Sequence, residues 1–295
     1  MRKAKDACLN QYPLTSRSID CVTSDINTER MHALDNKLDE TSELYVQEGK
    51  ATRVSVFVRD LVTQQWAASQ ENELYGPASL MKVPLMIAYY KISELDPSIL
   101  SVPIQYVQSS STTNYDNTQD FVPTNQLVSG KTYTVADLID HMIVNSDNNA
   151  TNILIDHVNP DILNQSFLDL GIKIPTASGS TDFVTVKSYA AIMRSLYNSA
   201  YLNHDDSEKA LELMSQTDFK GIAAPLPSGI TVAHKFGERE EDSPSGAPVI
   251  RQLHDCGIVY KQPEPYILCI MTEGSDFSQL NDILSSISLT VYQNM

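Results

Sequence analysis

The stretch "PASLMKVPLMIAYY", residues 77–90, decides how the chain is read: Ser79 and Lys82 stand three apart at the head of an apolar run, with Pro77 before them and Pro84 after. Positions i and i+3 of a helix share a face, so Lys82 sits one turn above Ser79 with its nitrogen within reach of the hydroxyl. In a helix's first turn the Ser79 backbone N–H belongs to the unpaired amides at the positive dipole end, which suits a developing oxyanion. Pro84 is tolerated that close to a helix start. A serine three residues before a lysine also arises about once by chance in a serine-rich chain, so a buried helix that happens to carry both is the plain alternative.

Outward from this stretch the pattern changes twice. Before it, a polar N-terminal segment leads into a helix over about 28–49, and "TRVSVFVRDLVTQQWAAS" alternates like a two-stranded hairpin. From 78 to about 216 apolar residues recur at helical spacing, as in "TVADLIDHMIVNSD", "NATNILIDHV", "ILNQSFLDLG", "TVKSYAAIMRSLYNSAYL" and "SEKALELMSQ". Strands return in "ITVAHKFG", "LHDCGIVYK" and "PYILCIMTEG", and "DFSQLNDILSSISLTVYQ" closes as a helix. The order predicts an α/β (α+β sandwich) fold: a mainly antiparallel sheet flanked by terminal helices, with an all-helical domain inserted. The expected division is a flanking segment over 1–27, an α/β domain from 28–76 plus 218–295, and a helical domain over 77–217. The polar run at 109–126 reads as a long surface loop, and its Tyr115 as a surface residue or a wall of the cleft.

Bulk composition narrows the partners. The chain has 295 residues, 42% of them apolar, enough for a sizeable core, and a net charge of −16 that repels nucleic acid and anionic lipid. No stretch approaches the length of a membrane span and the basic start has no apolar h-region, so the expectation is a soluble chain, extracytoplasmic only if a signal or anchor was removed. Six scattered histidines show no ligand spacing, and no metal or cofactor is expected. Asp137, Asp140 and Asp156 read as a solvated helix face, and the sequon "NAT" at 149–151 carries no weight. Cys8, Cys21, Cys256 and Cys269 lack zinc spacing. A turn centred on Gln262 and Pro263 sets Cys256 opposite Cys269; the expectation is two small residues buried in a sheet, with a bridged pair as the alternative.

Two further signals follow Ser79 and Lys82 in chain order. In "IVNSDNNATN", Ser146, Asp147 and Asn148 follow a helix ending near Val144; an interhelical turn with a capping residue is the structural alternative. In "TVAHKFGERE" a strand carries Lys235 and Gly237, where an exposed edge lysine is the alternative. A two-lobed fold brings all three to one cleft. On these motifs the chain resembles the penicillin-recognising serine hydrolases, and most of all the class A β-lactamases, with their S-x-x-K, S-D-N and K-T/S-G motifs, over roughly residues 30–295. The resemblance implies Ser79 as the acylated nucleophile, Lys82 as its base, and Ser146 as the proton shuttle to the leaving nitrogen. It further implies Asn148 holding the substrate's amide, Lys235 supplying positive charge, and an oxyanion hole from the N–H groups of Ser79 and Glu238, beside Phe236 and Gly237.

The pattern is also broken. Class A enzymes carry a deacylating glutamate on a long loop, and the corresponding stretch "LGIKIPTASGSTDFVTVKSY" has none, leaving Asp182 as a poor substitute. Phe236 stands where the family has a hydroxyl for the substrate carboxylate, and Cys256 about where many members place an arginine, although Arg239 or His254 could approach from elsewhere. The expected function is a serine hydrolase, a monomer, that acylates Ser79 with an amide or ester substrate, a peptidoglycan-type peptide or a β-lactam, and deacylates slowly. The alternatives are a true β-lactamase using Asp182 or Lys82 for deacylation, and a binding or sensor module that does not turn over.

Overall fold

The computed structural model describes residues 14–15, 30–108, 120–175, 181–241 and 249–295. Most of the N-terminal flank with Cys8 and Cys21, and most of the 109–126 run with Tyr115, lie outside them. A helix α1 (His32–Gln47) leads into a hairpin of β1 (Arg53–Asp60) and β2 (Trp66–Ser69). A 3₁₀ turn (Ala78–Met81) opens α2 (Lys82–Ser93). Then come β3 (Pro103–Gln105), β4 (Thr132–Thr134), α3 (Val135–Val144), α4 (Asn148–His157), α5 (Pro160–Asp169), α6 (Val186–Tyr197) and α7 (His204–Met214). The chain returns to β5 (Val232–Glu241), β6 (Ile250–Val259) and β7 (Tyr266–Gly274) and ends in α8 (Phe277–Asn294).

Five strands form one antiparallel sheet in the order β2-β1-β7-β6-β5, so the two chain ends meet at the β1–β7 pair and β5 is an outer edge. Period-two alternation buries both faces. Val54, Val56, Val58, Leu268 and Ile270 pack on one face with Leu38 of α1 and Leu284 and Ile287 of α8. Phe57, Cys269 and Met271 face the other way and join Tyr189 and Met193 of α6 in the core that runs through the helices. The short β3–β4 pair is an addition that three-residue strands do not announce in sequence.

The predicted helix at 79 starts differently from the expectation. Residues 78–81 wind as a 3₁₀ turn, and the α-helix begins only at Lys82. Pro84 has no N–H to give the carbonyl of Leu80, and that oxygen instead accepts the phenolic O–H of Tyr189 at 2.8 Å.

Cys256 and Cys269 are a disulfide, which corrects the expectation of two unbridged residues. They face each other in the β6–β7 register with their Cα atoms 4.0 Å apart, the close, non-hydrogen-bonded kind of antiparallel pair. Between helices and sheet, the dipeptide Leu14–Thr15 is clasped on both sides. The Glu208 carboxylate accepts the N–H of Leu14 at 2.9 Å and of Thr15 at 3.0 Å, and Tyr260 donates its O–H to the Leu14 carbonyl at 2.7 Å.

Candidate active site

The three motifs converge where the 3₁₀ turn, the α3–α4 junction and the edge strand β5 meet. Lys82 is 3% exposed and Ser146 and Lys235 are fully buried. Lys82 Nζ lies 2.7 Å from the Ser146 carbonyl, 2.7 Å from Asn148 Oδ1 and 3.1 Å from Ser146 Oγ. Lys235 Nζ reaches the same Ser146 Oγ from the other side at 2.9 Å and donates to the Phe236 carbonyl at 3.1 Å. One hydroxyl therefore sits between two amines.

The local folding that achieves this carries strain. Ala78 (φ 48°) and Ser146 (φ 56°) both occupy the left-handed region without being glycine, at about 1–3 kcal/mol each, immediately beside Ser79 and at the shuttle position itself. Asp147 compensates at the second place: its carboxylate caps α4 through the Ala150 N–H at 3.0 Å and takes the Leu127 N–H at 3.3 Å. That holds Asn148, the first residue of α4, against Lys82.

The edge of β5 supplies the rest. Tyr260 N–H bonds the Thr231 carbonyl at 2.9 Å, so hydrogen-bonded β5–β6 pairs fall on alternate residues that include Lys235 and Gly237. The N–H of Glu238 then lies on the free edge of the sheet. Gly237 presses against the 3₁₀ turn: a Cβ there would stand 2.9 Å from the Pro77 carbonyl oxygen and 3.1 Å from the Leu80 nitrogen. Only a residue without a side chain lets the turn that carries Ser79 and the strand that carries Glu238 come this close.

The electrostatics follow from burial. Desolvation, then the neighbouring Lys235 charge, hold Lys82 well below the ordinary lysine pKa, against the opposing pull of Asp147 and Glu238. Desolvation brings Lys235 down to about 7, opposed by Asp255 and Glu238. A neutral amine has two N–H bonds and one lone pair. The Ser146 carbonyl and Asn148 Oδ1 only accept, so Lys82 donates to both, and its third position, an N–H of the ammonium or the lone pair of the amine, faces the Ser146 hydroxyl that Lys235 reaches from the other side.

Phe236 lies buried, stacked on Phe219 with ring centroids 4.2 Å apart, and Phe121 meets both edge-on. Neither cation considered as a carboxylate partner arrives. Arg239 is tied to Asp182 and Glu241. His254 is buried, gives its Nε2 proton to the Gly76 carbonyl and is driven by desolvation down to about 4, hence neutral. Asp182 itself is held by Arg53 at 3.0 Å, with Arg53 also bonded to Glu273. From Leu95 to Ser207 the chain contains no glutamate at all. Asp137, read from sequence as part of a solvated face, closes a capping box with Thr134 at the start of α3.

Sequence reasoning missed three members of this neighbourhood. Phe121 was hidden in a polar run. The Glu238 side chain accepts the Phe121 N–H at 3.3 Å and is raised by desolvation to about 7, where the sequence pointed only to its backbone. The buried His234–Asp255 pair, 2.8 Å apart, lies on the strands under Lys235, with Asp255 also accepting the Ile222 N–H at 2.9 Å. Among the described residues no group of His, Cys, Asp or Glu could hold a metal ion.

A five-stranded antiparallel sheet packed with helices, with a buried Lys–Ser–Lys cluster beside its edge strand, defines a penicillin-recognising kind of serine hydrolase. The chain belongs to the β-lactamase enzyme family, whose profile matches residues 34–295, and is a class A β-lactamase-like serine hydrolase. The β-lactamase from Burkholderia phymatum superposes with a TM-score of 0.73 at 18% identity, covering 88% of this chain and 98% of that one. A class A β-lactamase from Bacteroides cellulosilyticus gives 0.70 at 22% identity, over 88% and 97%. The protein PBP-A gives 0.69 at 20% identity, over 92% and 98%. No curated protein matches the chain.

Proposed function

We propose that Ser79 is acylated by an amide or ester substrate, a peptidoglycan-type peptide or a β-lactam, and that the acyl-enzyme is released slowly. The observation that carries this reading is the Ser146 hydroxyl held between Lys82 and Lys235. In it, neutral Lys82 takes the Ser79 proton as Oγ attacks the carbonyl carbon, and the oxyanion is held by the N–H groups of Ser79 and Glu238. Collapse breaks the bond to the leaving group. Ser146 gives that group its proton and recovers one from the Lys82 ammonium, so the proton taken from Ser79 leaves with the product. Asn148 holds the acyl half, and burial, aided by the Lys235 charge, keeps Lys82 below the ordinary lysine pKa.

Deacylation requires a base aimed at water, worth roughly 10²–10⁴-fold. Asp182 is occupied by Arg53 and no glutamate stands between Leu95 and Ser207, which supports slow release. A PBP-A variant has been solved as an acyl-enzyme complex with penicillin G, which supports acylation as the reading for this chain. We further divide the chain into an α/β domain (28–76 plus 218–295) and a helical domain (77–217), with the cleft between them. An extracytoplasmic setting agrees with the family and with the Cys256–Cys269 bridge; no helix of the described residues is long and apolar enough to cross a membrane.

The test is intact-protein mass spectrometry over time after mixing with benzylpenicillin, beside Ser79→Ala. A persistent adduct absent from the variant supports the reading. An adduct lost within seconds with ring-opened product makes the protein a turning-over β-lactamase, and an adduct that survives in Ser79→Ala removes Ser79 from the role.

A further inference from the structure

A second concavity lies among the helices, built from residues that take no part in the Ser79 site. This cavity of about 440 Å³ opens between α2, β4, α3 and α7. Tyr90 of α2 lines it and is only 6% exposed. Neighbouring tyrosines have partners for their hydroxyls: Tyr89 donates to the Leu154 carbonyl at 2.7 Å, and Tyr133, which also lines the cavity, accepts the Val128 N–H at 2.9 Å. The Tyr90 hydroxyl has no hydrogen-bond partner among the described residues. A phenol taken out of water is costly to leave unpaired, and a polar group from outside the chain completes it.

The charges around that hydroxyl do not balance. Lys209 is bound to Asp206 at 3.0 Å. Lys131 lies 4.7 Å over the Tyr133 ring, and its charge is felt at Asp137, whose carboxylate caps α3 through Thr134. His141 Nδ1 lies 3.3 Å from the Asn125 carbonyl. That leaves Asp140 on α3 and Glu212 on α7, both lining the cavity and neither held by a side-chain hydrogen bond or ion pair among the described residues. Both act on Tyr90: desolvation first, then the charges of Asp206, Asp140 and Glu212, push its hydroxyl above the ordinary tyrosine range. Desolvation also raises the Asp140 carboxyl, with His141 opposing and Asp137 adding to the rise. Both lysines have partners of their own, so the field that remains is negative and repels an anion. A cation bearing N–H donors meets two open carboxylates from two helices and a phenolic oxygen able to accept.

We propose that this cavity binds a primary ammonium on an aliphatic stem, its N–H groups shared among Asp140, Glu212 and the Tyr90 hydroxyl. Such a group comes from a free diamine or from the lysine side chain of a peptide. The probes separate the two: cadaverine for the first, Nα-acetyl-lysine amide for the second, with Nα-acetyl-norleucine amide as the uncharged counterpart. Binding to the full chain is followed by isothermal titration calorimetry. At least one of the two amines is expected to bind with a Kd on the order of 1 mM or tighter, and the norleucine amide about tenfold or more weakly than that. Binding of cadaverine supports the free-amine source, and binding of the lysine amide supports the peptide source. Asp140→Asn is expected to weaken the amine about tenfold and Tyr90→Phe about fivefold. Because the lost hydroxyl has no partner in the chain, Tyr90→Phe should leave the urea midpoint unchanged or raise it, which separates weaker binding from a damaged fold. A midpoint lowered by Tyr90→Phe overturns the proposal, since the hydroxyl then has its partner within the protein. No uptake of either amine up to about 20 mM also overturns it, as does amine binding that both variants leave unchanged or that the norleucine amide equals.

Discussion

Gly237→Ala tests the geometry of the proposed oxyanion hole more directly than removing any reactive group. The added methyl would stand 2.9 Å from the Pro77 carbonyl oxygen and 3.1 Å from the Leu80 nitrogen, both backbone atoms that no rotamer change can move aside. The 3₁₀ turn must shift from β5 by several tenths of an ångström, and Ser79 rides on that turn. Losing one oxyanion donor costs about 3–4 kcal/mol in the transition state, and partial misalignment approaches it, so the acylation rate is expected to fall by roughly 10²-fold. Overpacking lowers stability by about 1–3 kcal/mol as well. The assay is second-order acylation by a neutral thioester, followed by adduct mass, with a urea midpoint for each protein. Gly257→Ala serves as the comparison, because its methyl would meet the Ala233 carbonyl at 2.4 Å and the His234 side chain at 2.4 Å, away from the turn. That variant is expected to lose stability out of proportion to acylation. If Gly237→Ala acylates within threefold of wild type while folded, the Ser79 and Glu238 amides do not share the oxyanion.

Three other outcomes are expected. Lys82 is buried beside Lys235 and held below the ordinary lysine value, so its reactive neutral form is lost as pH falls through that lowered pKa. The acylation rate should fall on the acid side, and Lys82→Arg, unable to shed its proton, should lose about 10²–10⁴-fold at every pH measured by adduct mass. His254 is neutral in the fold, with a pKa near 4 against 6.5 in the free side chain, so the unfolded chain binds its proton first. The folded state should lose roughly 3 kcal/mol from this residue between pH 7 and pH 4, read from urea midpoints, and a midpoint unchanged down to pH 5 contradicts that. Replacing Cys256 and Cys269 together by alanine opens a loop of sequence separation 13, and urea unfolding should show about 3 kcal/mol less stability than the oxidised protein.

The parts of the site written in short, chemically unusual spacings were legible. Lys82, Ser146, Asn148 and Lys235, singled out because three weak motifs follow one another in chain order, meet in one hydrogen-bonded cluster, and the strand–helix–strand order followed from periodicity. What escaped was set by tertiary contact. The 3₁₀ turn depends on Pro84 releasing a carbonyl to Tyr189, which lies 109 residues from Leu80. The disulfide depends on register, and sequence could place Cys256 opposite Cys269 without deciding whether the sulfurs had joined. Phe121 sits among polar residues, where one ring carries no periodic signal until Phe219 and Phe236 surround it. Arg239 and His254 looked able to reach the cleft because sequence shows a side chain's charge and not its partners, Asp182 and Gly76.

The clasp on Leu14 and Thr15 bears on how the two halves of the molecule can move. Glu208 belongs to α7 and Tyr260 directly follows β6, yet both grip the same dipeptide. Parting helices from sheet at that point breaks charge-assisted bonds to two amides, strands a carbonyl and exposes the Leu14 side chain, all at once. The dipeptide acts as a rivet between α7 and the end of β6, so one short piece of chain far from both in sequence ties a helix to the sheet.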